Sequence, residues 1–127
     1  MEKKEKYTLE YAFNSSPKVL YNRISTVAGL SEWFADNVMI KGDKFIFVWD
    51  DGEQEAKLLG KKDLDYARYK WLDDDDDKAY FEFKIEIDEL TNDVSLMVTD
   101  FAYEDEKEDD IDLWEAQIDS LRSVIGS

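Results

Sequence analysis

The spacing of apolar residues changes three times along this chain, and few folds can satisfy all four patterns. Tyr7, Leu9, Tyr11 and Phe13 alternate with polar residues, as in a strand with one buried face. Asn14, Ser15 and Ser16 end that strand. Ser16-Pro17 is then a helix start: a hydroxyl can cap a free N–H, and proline suits the first helical position, where its N–H is not missed. Val19, Leu20 and Ile24 form the inward stripe of a short helix reaching Ser25. Leu30, Trp33 and Phe34 share a face of a second short helix, predicted from Ala28 to Ala35, with Gly29 weakening its first turn.

From Asp36 the period returns to two. Strands are predicted over Asn37 to Lys41, Lys44 to Trp49, Gln54 to Lys61, Tyr66 to Leu72, Ala79 to Ile87 and Val94 to Phe101. Gly42-Asp43 and Asp50-Asp51-Gly52 are hairpin signals, and Gly60 marks a bulge or bend. The short turns favour antiparallel pairing.

The last change comes at the end. Ile111, Trp114, Ile118, Leu121 and Ile125 recur at steps of three and four, which places them on one stripe of a helix. Asp112, Glu115, Asp119 and Arg122 occupy the opposite face. Asp109 and Asp110 precede it as capping carboxylates, and Gly126 stops it. Such a helix cannot stand alone, because ordering costs about 1–2 kcal/mol per residue. It needs an apolar surface, and the preceding strands supply one. Helices gathered on one face of an antiparallel sheet define an α+β fold in a single domain, residues 1–127.

Charge and missing residue types narrow the function. The net charge of −16 opposes binding to nucleic acid and to anionic membrane surfaces. There is no cysteine and no histidine, so thiolate nucleophiles, His-containing zinc sites and Ser–His or Cys–His catalysis are excluded. Five scattered glycines form no phosphate-binding loop. No signal peptide or membrane-spanning run is read, and a cytoplasmic location is expected. Asp73 to Asp77 is read as a solvated hairpin tip and Glu104 to Asp110 as an acidic connector. No metal, cofactor or catalytic residue is assigned. Among the carboxylates, Asp100, near the end of the last strand, is the one least easily placed on an outward face or in a turn.

Several segments carry a resemblance: Ser15-Ser16-Pro17-Lys18-Val19-Leu20-Tyr21, Leu30-Ser31-Glu32-Trp33-Phe34, the hairpin from Gly42 to Glu53, Tyr69-Lys70-Trp71 and the helix from Trp114 to Leu121. In their order they resemble the START-like, Bet v 1-like helix-grip superfamily. The likeness is strongest to the branch typified by the activator-of-Hsp90-ATPase homology domain, and it covers nearly the whole chain. It implies a seven-stranded antiparallel sheet curved around a long C-terminal helix, with two short helices after the first strand. It also implies that an apolar ligand is held between sheet and helix. Relatives of this kind include ligand carriers, cyclase- or hydrolase-type enzymes and chaperone-binding modules.

On that fold Trp33, Phe47, Trp49, Tyr69, Trp71, Phe81, Phe83, Trp114 and Ile118 point into the space between sheet and helix. They are either cavity wall or packed core. Buried Tyr69 and the indole N–H groups need partners and are candidates to orient a ligand. The expected function is non-catalytic binding of a small hydrophobic molecule, lipid-like or aromatic. The alternatives are a protein-interaction or chaperone-linked module using its acidic surface and, third, a cyclase- or hydrolase-type enzyme.

Overall fold

In the computed structural model, which describes residues 3–126, β1 (Glu5–Phe13) is followed by two helices, α1 (Pro17–Ser25) and α2 (Val27–Leu30). Six strands come next: β2 (Asn37–Lys41), β3 (Lys44–Trp49), β4 (Gly52–Lys62), β5 (Tyr66–Trp71), β6 (Phe81–Ile87) and β7 (Val94–Ala102). A 3-10 turn (Glu104–Glu106) leads into α3 (Lys107–Ile125). All seven strands form one antiparallel sheet in the order β1-β7-β6-β5-β4-β3-β2. The first two strands therefore lie at opposite edges, and α1 and α2 carry the chain between them. In crossing, α1 lies against β5 and β6.

Local chemistry accounts for the turns. Gly42 adopts φ 65°, which the two-residue connection between β2 and β3 favours. The register between β4 and β5 shifts between Leu58 and Gly60, at the predicted bulge. The Ser16 hydroxyl accepts from Val19 N at 3.2 Å, with Pro17 opening α1.

Two helix boundaries differ from the sequence reading. The final helix begins at Lys107, four residues before Ile111, and part of the expected acidic connector is the 3-10 turn. Glu108, Asp109 and Asp110 sit inside the first helical turn. Their charges favour the exposed N–H groups there without any side-chain capping hydrogen bond. The second helix is shorter than predicted. Thr26 caps it, and after Leu30 the chain tightens into a turn in which Phe34 N donates to Leu30 O at 2.9 Å. That turn carries Trp33 and Phe34 into the core.

The core fills the concave face. Phe45, Phe47, Tyr69, Phe81, Phe83, Leu96 and Val98 of the sheet meet Leu20, Ile24 and Leu30 from the short helices and Trp114, Ile118 and Leu121 from α3. No helix among the described residues is long and apolar enough to cross a membrane.

Candidate functional site: an aromatic cleft with a buried carboxylate

The space between sheet and helix is largely filled, and the residue that fills it is Phe34. Its ring stacks on Phe81 and Trp114 at centroid distances of 5.7 and 5.9 Å. It meets Phe47 and Phe83 edge-on at 5.1 and 5.9 Å. Phe34 is 3% exposed. Its carbonyl accepts from the Trp49 indole at 3.1 Å and from Gln117 Nε2 at 3.2 Å, so the turn after α2 is tied to both β3 and α3.

What stays open is a cleft of about 480 Å³ beside this plug, under the first half of α3. Phe34, Trp49, Trp71, Phe101, Leu113 and Trp114 supply its apolar wall. Lys4, Asp51, Gln54, Asp74, Asp100, Glu106, Asp110 and Gln117 supply the polar part. Of the nine residues singled out from the sequence, Trp49, Trp71 and Trp114 line this cleft. Trp33, Phe47, Tyr69, Phe81, Phe83 and Ile118 lie in the packed core.

Most of the polar handles expected to orient a ligand are already engaged. The Tyr69 hydroxyl donates to Ile24 O at 2.6 Å and the Trp33 indole to Arg23 O at 2.8 Å, so together they satisfy carbonyls in the last turn of α1. The Trp114 indole donates to Asp100 Oδ2 at 2.9 Å.

Asp100 is the distinctive group. It stands opposite Tyr7 in the β1–β7 ladder and so shares Tyr7's inward face. Its two hydrogen bonds come from neutral donors, the Trp114 indole and its neighbour Phe101 N at 2.7 Å. Burial pushes its carboxyl up to about 6, and the negative charge of Asp110 adds to the shift. Burial also raises Asp110, with Glu106 contributing. The Tyr7 hydroxyl, raised by burial and then by Asp100 and Asp110, lies beside the Trp114 indole without a well-formed hydrogen bond.

The aspartate run is more structured than a solvated tip. Lys4 Nζ bonds Asp74 Oδ1 at 2.9 Å, and the Asp74 side chain is only 8% exposed. Asp76 accepts from Lys4 N and Lys78 N, and the Tyr103 hydroxyl donates to Asp75. Lys4 precedes β1 and Tyr103 follows β7, and the pairing of Glu5 with Ala102 brings them together. The β5–β6 connection folds against that corner and makes one rim of the cleft. Among the described residues, no group of three or more acidic side chains is arranged to hold a metal ion.

A second hollow, about 670 Å³, lies among strand ends and turns near Glu10, Asp88, Asp93 and Arg122. Phe13 is the one aromatic residue among its described lining residues, and it has no tryptophan.

A curved antiparallel sheet closed by a C-terminal helix, with an aromatic cleft at the helix start, defines a helix-grip protein. The family model of the START-like superfamily domain matches residues 1–127, and the chain belongs to that superfamily. Among solved structures it is similar to a Bacteroides fragilis protein determined in solution. The identity is 38%, over 97% of this chain and 91% of that one, with a TM-score of 0.68. The Aha1 dimer from Colwellia psychrerythraea shares the fold at 15% identity and TM-score 0.79, covering 95% of this chain and 96% of that one. A Mesorhizobium loti protein does so at 14% and 0.78, covering 96% and 97%. No curated protein matches the sequence.

Proposed function

We propose that this protein binds a small, largely apolar molecule in the cleft walled by Phe34, Trp49, Trp71 and Trp114. The observation that carries this reading is the combination of an open, indole-lined space of about 480 Å³ with the partly buried Asp100 carboxylate, its proton held more tightly than usual, at its edge. Ligand sites typically have that volume and that pairing of apolar wall with few polar groups. The bound molecule would lie beside Phe34, at the start of α3, since the centre of the fold is packed. Native mass spectrometry of the protein purified from its own host, followed by denaturing extraction, tests it. A co-purifying small molecule, absent from a Gln117→Trp variant that fills the cleft, supports the reading. An apo mass together with no change in tryptophan emission on adding apolar probes would refute it.

One observation favours a second reading, acid–base chemistry on the bound molecule. A carboxyl near 6 exchanges its proton close to neutral pH, as a general acid or base must. This reading requires Asp100→Asn to lower the turnover rate of the bound ligand at saturation, beyond any loss of its affinity.

A further inference from the structure

We infer that the molecule taken up by this cleft is an organic cation: an amine or quaternary ammonium carried on an apolar or aromatic body. This rests on the binding reading above and adds the sign of the ligand's charge.

The lining is unbalanced. Asp51, Asp74, Asp100, Glu106 and Asp110 border the cleft, and among the described residues Lys4 is the only basic side chain that lines it. Lys4 is already committed, with Asp74 at 2.9 Å and Asp75 at 3.9 Å. A ligand carboxylate or phosphate would enter a field of its own sign with no free cation to receive it. A neutral ligand would gain only burial.

Asp100 sharpens the argument. Both hydrogen bonds to it come from uncharged donors, and among the described residues it forms no ion pair. A carboxylate largely withdrawn from water is favoured by a positive partner, and the described residues supply none at contact distance. The apolar wall suits the same ligand. Trp49 and Trp71, both only half-buried, bring to the wall indoles, the ring type that attracts cations most strongly. The overall charge of −16 draws cations toward the molecule before contact.

The test is a matched set of probes titrated against tryptophan emission: benzyltrimethylammonium, its uncharged carbon isostere neopentylbenzene, and benzylsulfonate. The cation is expected to bind at least about tenfold more tightly than the isostere, with an advantage that shrinks as salt is added. Asp100→Asn should remove most of that advantage, read as the ratio of benzyltrimethylammonium affinity to neopentylbenzene affinity in the same variant. Asp51→Asn, at an exposed position, should reduce it without touching the fold. Equal or tighter binding of the neutral or anionic probe overturns the charge assignment and leaves the cleft reading standing. So does a cation preference that persists unchanged in both variants. Failure of all three probes to bind overturns both.

Discussion

The Trp114 indole donates to Asp100 at 2.9 Å, joining the first half of α3 to the end of β7 across the inner face of the sheet. Asp110, one turn earlier on α3, adds negative charge at the same place. The helix thus both satisfies the buried carboxylate and makes its ionisation harder.

Asp100 should give stability a measurable pH dependence. Its folded value of about 6 lies above the ordinary 3.8. Between those values the native state holds the proton more firmly than the unfolded chain does. Its contribution is therefore most favourable below about pH 4 and is lost as pH rises through about 6. The full effect is at most about 3 kcal/mol. Asp100→Asn cannot titrate. Its single acceptor oxygen serves only one of the two donors, a fixed cost of about 1 kcal/mol. Urea unfolding of both proteins should show wild type losing ground to the variant from pH 4 to pH 7. A constant difference would refute this account of Asp100.

Trp114→Phe keeps the ring and removes the donor. The hydrogen bond holds the Asp100 carboxyl lower than burial alone would, so its loss should move the carboxyl further above about 6. Carboxyl NMR titration reads the shift directly, and a downward movement would contradict the assignment.

Phe34→Ala removes the central plug. Loss of a buried phenyl ring typically costs about 3–5 kcal/mol, part of it for the void left behind. The new space would adjoin the cleft, so bulkier apolar probes should bind the variant better than wild type. Denaturant midpoints and tryptophan emission measure the two effects separately.

Gly29→Ala tests helix spacing rather than backbone freedom. A Cβ at Gly29 would fall 2.0 Å from Asn22 O and 2.7 Å from the Arg23 Cα, so α1 would have to move. Alanine is otherwise the better helix former by about 1 kcal/mol. Overlap with backbone should reverse that sign and destabilise by about 1–3 kcal/mol. A more stable variant in thermal unfolding would show that the two helices separate easily.

Tyr69→Phe deletes the 2.6 Å bond to Ile24 O at a fully buried site. The stranded carbonyl should cost about 1–3 kcal/mol. Ligand affinity should be unchanged, because Tyr69 lies in the core and does not line the cleft. Urea unfolding and probe titration on the same variant check both statements.

Only part of the cleft's lining was legible: Trp49, Trp71 and Trp114 of the nine residues singled out border it. Asp100 has the same parity as Val94, Leu96 and Val98, so its inward direction follows from alternation alone. Phe34 was legible as an inward residue of the second short helix, but its central position was not. That depends on the chain leaving the helix after Leu30, where backbone bonds and the packing of Trp33 and Phe34 outweigh local propensity. The bonds from Lys4 to the aspartate run join residues 70 and 72 positions apart. The β1–β7 and β6–β7 pairings together bring them into reach.

Strand order along the chain, the hairpin at Gly42, the bulge at Gly60 and the buried stripe of α3 were set by the sequence itself. Each follows from backbone geometry repeating over a few neighbouring residues. Which aromatic rings line open space, which ones fill it, and how far Asp100 is raised were decided only in three dimensions. Those properties depend on volumes and charges contributed by β1, β3, β5, β7, α3 and the turn after α2 together, and no local period encodes such a sum.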